Sequence, residues 1–382
     1  MHQDASAPRE RTTKILFLAG HQGSGVAHID KFLPTLASGP YEVTFLGWDR
    51  ERTEEKTFER DGIQFRMIQR GWGYANRWLA LALPLWVIVA FWHLLIRRPD
   101  VVMASDFDSG LPAAMAKFFT RTPLVYIILD TFSMRPFTPN LLRGTIEWLD
   151  RRVIAASDRV IVPDDTRIQP DYPNLDRFVI VYNSCPDKWS EVPEEQHLAS
   201  SEDFTILACG YLRENRGVKL LTEVARRRPD IKFLLAGYLF DDDIQKDVDE
   251  LDNIDFIGRV PYTEALTLPF RVNAVFTFYD PSSMINRLAA SNKWFDAMMA
   301  ARPIIVNEEL VKAEWIRERD IGFLCPYGNV DALEACLVDM KENSAEAIRK
   351  GKNGRKLYED GLSWSAMEDR IHEIVADVAR NN

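Results

Sequence analysis

The chain has 382 residues, 46% apolar and 27% charged, a globular composition that excludes a disordered, collagen-like or coiled-coil protein. Lys and Arg number 47 against 57 Asp and Glu, so the net charge is −10, the opposite of the basic excess of a duplex-DNA binder, and no nucleic-acid partner is expected. Cys185, Cys209, Cys325 and Cys336 form no CxxC and the six histidines no HExxH, so neither a disulfide framework nor a metal site is expected and a reducing compartment fits.

At this length two domains are expected. The polar start, MHQDASAPRERTTK, is not a signal peptide, and cytoplasmic location is the default. Short apolar runs then recur at 14–20, 41–47, 63–68, 100–104, 123–128, 159–162 and 178–182, separated by helical patterns. That is the rhythm of βα units in a parallel, doubly wound sheet. Residues 183–203 are polar, acidic and Pro-containing, which reads as a linker. The alternation restarts at 204–210, 231–237, 254–258, 274–278, 303–306 and 322–325. The expected fold is α/β, two tandem Rossmann-like domains, 1–183 and 184–363, facing a cleft lined by strand carboxyl ends. Over 364–382, Trp364, Met367, Ile371, Ile374, Val375 and Val378 form one helical stripe, so a terminal helix is expected to dock across the domain junction.

One segment, 78–96 (WLALALPLWVIVAFWHLLI), is nearly long enough to span a bilayer, which takes roughly 20 residues. Strand-like runs on both sides argue against a crossing, since part of one sheet would then lie outside the cell, and Pro84 would kink a span. Plain burial as a crossover helix is one reading. The reading preferred is a helix lying in the membrane surface, anchored by Trp78, Trp86 and Trp92, with Arg77, Arg97 and Arg98 meeting lipid phosphates.

Candidate site residues follow the strands. The loop Gly20-His21-Gln22-Gly23-Ser24-Gly25 could bring backbone N–H groups to a phosphate, although GxxGxG is not the dinucleotide fingerprint; it could equally be a ligand-free turn. Asp49, where a ribose-binding acid would stand, keeps a dehydrogenase open. The second half begins with Gly210-Tyr211-Leu212-Arg213-Glu214-Asn215-Arg216-Gly217, where two arginines ahead of a helix suit a diphosphate, or else line a solvated loop. Asn292, Lys293 and Asp296 stand near a helix start, and an acid there can accept hydrogen bonds from vicinal ribose hydroxyls; the alternative is a helix cap with a surface charge pair. Asp241-Asp242-Asp243 reads as a helix-start cap and solvated charge.

At these residues the chain resembles the GT-B glycosyltransferases of the large retaining E-x7-E group (glycosyltransferase family 4-like), over nearly its whole length. Asn292-Lys293-Trp294-Phe295-Asp296-Ala297-Met298-Met299, ending in Pro303-Ile304-Ile305, is similar to the NKLF-EAMAxGxPVI tail motif. The resemblance implies that Asp296, at the second glutamate, holds the donor ribose. Leu288 stands at the first glutamate, as in an NKLF-like subgroup. Gly210 through Gly217 matches G-R-L-x-x-x-K-G with Tyr211 for the arginine and Arg216 for the lysine, so Arg216 inherits the diphosphate and Arg213 shares it. Val260 falls where the backbone meets the base, and Gly23 and Gly25 would face the donor phosphates. Asp130 is the acid nearest the position of a family histidine. His21, Asp106 and Asp108 are acceptor-side cleft candidates.

The implied activity is transfer of a hexose from a UDP- or GDP-type sugar to a glycan or lipid-linked acceptor, with retention and without metal or other cofactor, in polysaccharide or glycoconjugate synthesis. Arg216 and Lys293 would stabilise the leaving diphosphate. The expected location is the cytoplasmic face of the membrane, held peripherally. Two other classes stay open: a sugar-nucleotide epimerase or dehydrogenase, and a nucleotide-sugar-binding protein without transferase activity.

Overall fold

A computed structural model describes residues 12–23, 26, 28–71, 79–131, 140–197 and 204–380. The apolar runs form strands because they are buried on both faces, which suits Val-, Ile- and Leu-rich segments in parallel sheets. The chain divides into two units, Met1–Val181 with Glu368–Asn382, and Tyr182–Met367.

The first unit has an eight-stranded sheet in the order β3-β4-β2-β1-β5-β6-β7-β8. The strands are β1 (Thr13–Ala19), β2 (Tyr41–Asp49), β3 (Thr57–Arg60), β4 (Ile63–Arg70), β5 (Val101–Ser105), β6 (Leu124–Ile127), β7 (Arg159–Val162) and β8 (Phe178–Ile180). All pairs are parallel except β3 with β4. That hairpin was not expected from the alternation. Its turn is Asp61-Gly62, both at positive φ (52° and 75°), the geometry that a two-residue hairpin favours.

Helix α1 (Ile29–Ser38) follows β1, α2 (Leu79–Arg97) precedes β5, α3 (Phe107–Thr120) joins β5 to β6, and α4 (Asn140–Ala156) precedes β7. Helix α2 has two different long faces. Ala82, Trp86, Ala90 and Leu94 recur every four residues and are buried with Leu16, Leu46 and Trp48. Leu85, Ile88, Trp92 and Ile96 are exposed. Among the described residues no helix is long and apolar enough to cross a membrane. Trp86 corrects the anchor set: it is fully buried, its ring lies 5.8 Å from that of Trp48, and its Nε1–H donates to the Asp108 carbonyl at 3.1 Å. It is a core residue and cannot reach a lipid surface. Trp78 lies outside the described residues.

The second unit has a six-stranded parallel sheet in the order β11-β10-β9-β12-β13-β14. Its strands are β9 (Thr205–Leu212), β10 (Lys232–Leu239), β11 (Ile254–Phe256), β12 (Ala274–Thr277), β13 (Ile304–Asn307) and β14 (Gly322–Cys325). Helices α5 (Val218–Arg227), α6 (Asp242–Glu250), α7 (Tyr262–Ala265), α8 (Met284–Arg287), α9 (Asn292–Met299), α10 (Ala313–Glu318), α11 (Val330–Glu342) and α12 (Ser344–Leu357) cover it. Successive β13 residues face opposite ways: Ile304 and Val306 pack with Phe295 and Met298 of α9, and Ile305 packs with α5 and α11. In both sheets the strand order reverses in the middle, at β1/β5 and at β9/β12. The carboxyl ends there are where open α/β sheets receive ligands.

The terminal helix α13 (Trp364–Arg380) buries its expected stripe. Its residues up to Met367 belong to the second unit and those from Glu368 to the first. In the first unit, Arg370 donates to the Ile180 carbonyl and the His372 ring stacks 5.7 Å from Tyr41.

Candidate functional site

In the second unit, β9 leads through Arg213 and a short turn to Gly217 and α5. Gly217 sits at φ 71°, and a Cβ there would come 2.8 Å from that of Phe278, so only glycine makes this bend. No side chain caps α5; the N–H groups of Val218 and Leu220 donate to the carbonyls of Arg213 (3.4 Å) and Gly217 (3.0 Å), and among the first-turn donors that of Lys219 has no acceptor among the described residues, which leaves it open to an anion at the positive end of the helix. The loop is braced on several sides: Glu214 N–H donates to the Asp241 carboxylate (2.9 Å), Asp280 N–H to the Asn215 carbonyl (3.0 Å), and Tyr327 O–H to the Glu214 carbonyl (3.0 Å). Asp241 thus caps the neighbouring turn and not its own helix.

Arg216 stacks its guanidinium 4.2 Å from the Tyr279 ring centroid. Its Nη1 is buried and has no hydrogen-bond partner, a costly state for a cationic donor. Tyr279 is held by its N–H, which donates to Asn307 Oδ1 (2.8 Å). Asn307 in turn donates to Glu309, whose other oxygen accepts from Tyr327 N–H (2.9 Å). Arg213 lies over Phe240 at 3.8 Å. Gly210 and Gly237 are partners across β9 and β10; a Cβ on Gly237 would come 1.9 Å from the Gly210 carbonyl oxygen.

Helix α9 begins with Ser291, whose hydroxyl accepts from Lys293 N–H. One turn of helix brings Lys293 Nζ to Asp296 Oδ2 at 2.8 Å, with Asp296 only 2% exposed. Burial opposes the Lys293 charge, but the Asp296 carboxylate outweighs it and holds the ammonium pKa well above its usual value. Cys209, near the end of β9, lies within electrostatic reach of this pair; burial pushes its thiol up, so it is no thiolate nucleophile. Trp294 fixes the helix through Nε1–H to Thr277 Oγ1 (2.8 Å). Val260 packs against the same core cluster as Trp294. Leu288, at the end of α8, is half-buried.

In the first unit, the β1/β5 reversal gathers a buried polar group. Arg50 donates from Nε to the Gly20 carbonyl (2.9 Å) and lies 3.6 Å from Asp108 Oδ2, both side chains nearly closed to solvent. His28 Nε2 meets Ser105 Oγ at 3.0 Å, and the His21 ring stands edge-on to His28. Asp106 is buried at φ 62° and ψ 168°, a strained conformation for a side-chain-bearing residue. Its carboxylate accepts from Leu129 N–H (3.3 Å). Asp130 pairs with Arg167 at 3.3 Å.

The glycosyl transferase 4-like domain family matches residues 27–166, and glycosyl transferases group 1 matches residues 203–343. Both halves of the chain match glycosyltransferase domains, and the chain is a glycosyltransferase. Among solved structures it is similar to sucrose-phosphate synthase of Thermosynechococcus elongatus (TM-score 0.77, 15% identity, 97% of this chain and 100% of that one). It is also similar to Anabaena HepE in complex with UDP and glucose (0.68, 14%, 96% and 100%) and to a glycosyltransferase of Rickettsia africae (0.71, 12%, 97% and 100%). These likenesses fix the fold as GT-B. No curated protein matches the chain in sequence.

In this glycosyltransferase Arg213 and Arg216 stand just ahead of α5, and Asn292, Lys293 and Asp296 on α9, while Gly210 lies within β9 and Val260 between β11 and α7. The partner of Asp296 is Lys293, three residues before it on α9. Gly23 corrects another expectation. Its N–H donates to Glu54 Oε2 (3.1 Å), its carbonyl accepts from Arg60, and a Cβ would strike Phe65, so it braces the β3–β4 hairpin and has no N–H left for a phosphate. Gly25 lies outside the described residues. Asp49 accepts from Thr53, Glu54 and Arg70 and is fully buried, which removes it as a ribose-binding acid. Sequence reasoning missed Tyr279, Asn307, Arg50 and Arg167. Asn307 is the one with a legible signal, a polar residue closing the otherwise apolar strand β13. Among the described residues no three His, Cys, Asp or Glu side chains are grouped to hold a metal ion.

Proposed function

We propose that this glycosyltransferase moves a hexose from a nucleotide-diphosphate sugar, of UDP or GDP type, to a glycan or lipid-linked acceptor at the cytoplasmic membrane surface, in polysaccharide or glycoconjugate synthesis. The observation that carries the reading is the buried, partnerless Nη1 of Arg216 beside the uncapped start of α5. A diphosphate supplies acceptor oxygens to Arg216 Nη1 and to the Lys219 N–H of that helix start. Asp296 accepts hydrogen bonds from the ribose hydroxyls, and the backbone at Val260 meets the base. The HepE structure, described as a complex with UDP and glucose, supports a uridine nucleotide.

In the reaction the acceptor oxygen bonds to the anomeric carbon on the face from which the diphosphate departs, giving retention. The bond from that carbon to the leaving oxygen breaks, and its electron pair stays on the diphosphate. The same phosphate oxygen takes the acceptor proton. Arg216, Lys293 and the α5 N-terminus stabilise the growing charge, a role that needs no divalent cation. Chelator-insensitive turnover is the corresponding outcome. Asp106, Asp108, Asp130 and His21 belong to the acceptor side, and the exposed face of α2 with Trp92 supplies the peripheral membrane contact.

The test is a thermal-shift screen of UDP, GDP, ADP and TDP with their sugars. A ligand at 100 times its dissociation constant stabilises by about 2.7 kcal/mol. One nucleotide series shifts the wild type, and Arg216→Gln abolishes the shift. No shift with any nucleotide, or an unchanged shift in the variant, overturns the reading.

A further inference from the structure

On α2 and α3 the first unit carries a string of aromatic rings that runs from Phe91, packed against its core, out to the surface. Phe91 contacts Trp92 (5.7 Å) and Phe119 (6.0 Å), and Phe119 contacts Phe118 (5.2 Å). Trp92 is 57% exposed, Phe119 67%, Phe118 83% and Ile96 78%. Four large apolar side chains side by side on a monomer surface mark an interaction site.

Immediately beside them is a cavity of about 250 Å³ at the amino ends of β6 and β7, lined by Lys117, Arg121, Arg159 and Arg177 with Asp158 and Asp377. Phe118 and Phe119 lie between Lys117 and Arg121 in the chain, so rings and cations share one helix end. Lys117 is paired with Asp158 and Arg159 with Asp377, while Arg177 donates to the Ser157 carbonyl at 2.7 Å. Arg121 has no acceptor for its guanidinium among the described residues. Four cations against two carboxylates give the cavity a charge of +2 in a chain whose net charge is −10. Arg66 and Arg97 add a further basic group on the flank of α2, each with a buried Nε that lacks a partner. Burial, then Arg97 and Arg66, hold the neighbouring His93 below its usual pKa.

We propose that this edge of the first unit docks on a bilayer, with Trp92, Phe118 and Phe119 entering the interface and the Arg121 cavity taking the phosphate of an anionic phospholipid headgroup. The charge pattern selects this occupant. Aromatic side chains seat at the headgroup level, and basic residues beside them select anionic lipid. An apolar protein partner would have no use for a cationic cavity at the rim. The inference rests on the membrane-surface reading above and adds to it a lipid class and the residues that choose it.

The experiment is flotation of the full chain with vesicles of phosphatidylcholine alone and of phosphatidylcholine containing phosphatidylglycerol. Arg121 is the substitution site because it leaves no carboxylate unpaired, and Asn tolerates its left-handed backbone (φ 60°). Anionic vesicles are expected to bind at least tenfold more tightly than neutral ones. Arg121→Asn should weaken that binding about fivefold, the factor for one basic residue near an anionic surface. Phe118→Ser with Phe119→Ser should weaken binding to both vesicles. Equal binding to both vesicles, or no effect of Arg121→Asn, overturns the headgroup site and leaves the membrane reading standing. Binding to neither vesicle overturns both. Stabilisation of the wild type by inorganic phosphate, lost in Arg121→Asn and without vesicle binding, would make the cavity a soluble-anion site and overturn the proposal.

Discussion

The Lys293–Asp296 pair serves both stability and substrate, and the two roles separate experimentally. Asp296 is 2% exposed and its Oδ2 is 2.8 Å from Lys293 Nζ. Asp296→Leu alone leaves a buried ammonium without its counter-charge, a loss of about 3–5 kcal/mol. Adding Lys293→Met replaces the pair by two apolar side chains of similar volume among Trp294, Phe295 and Met298, so urea unfolding should return to within about 1 kcal/mol of wild type. Nucleotide binding should not return. With Asp296 accepting hydrogen bonds from ribose hydroxyls, each charge-assisted bond carries about 1.5–3 kcal/mol, so one lost bond weakens binding roughly 10- to 150-fold in the stable double variant, for UDP and equally for uridine, which lacks the diphosphate that Lys293 faces. Calorimetric titration of UDP and of uridine against both variants reads this directly. A double variant that is stable and binds UDP like wild type would refute the ribose role and leave the pair purely structural.

Other expectations follow from single side chains. Burial raises the Asp150 carboxyl to about 6 against the opposing hydrogen bond from Tyr126. Its folded pKa lies above its unfolded value near 4, so the folded state binds the extra proton between those values and stability falls as pH rises from 4 to 6, by up to about 3 kcal/mol. Asp150→Asn should flatten that slope in urea midpoints measured across the range. Trp86→Ala should cost about 3–5 kcal/mol, whereas Trp92→Ala should stay within about 0.5 kcal/mol and instead reduce vesicle binding. Arg302, almost fully buried, donates to the carbonyls of Gln196, His197, Phe270, Val272 and Ala300. Arg302→Met should lower the urea midpoint sharply, and Arg302→Lys should not rescue it, because one ammonium cannot span five acceptors.

The strands were legible because buried parallel strands are written as continuous apolar runs, and each expected run became a strand. Hairpin strand β3 escaped because TFER is polar and exposed, although its Asp61-Gly62 turn carried the signal. The composition of α2 announced apolarity but could not say which face was inward; Trp86 and Trp92, six residues apart, went to opposite sides. At the site, helix spacing brought out Lys293 and Asp296, and glycine chemistry brought out the Arg216 loop. The residues behind them were hidden. Asn307 reaches Tyr279, and through it Arg216, only because β12 and β13 are neighbours, and Arg50 meets Asp108 across a strand reversal. Such pairings depend on topology and leave no local pattern. The same applies to Gly23, whose loop looked like a phosphate cradle until Glu54 arrived from the hairpin.

The central claim, that an activated sugar is held in the second unit with its diphosphate on Arg216 and the α5 N-terminus, is tested most directly by a crystal structure with a UDP-sugar bound. Phosphate oxygens should lie within hydrogen-bond distance of Arg216 Nη1, and ribose hydroxyls on Asp296. A nucleotide seated elsewhere, with Arg216 Nη1 still unpartnered against Tyr279, would contradict it.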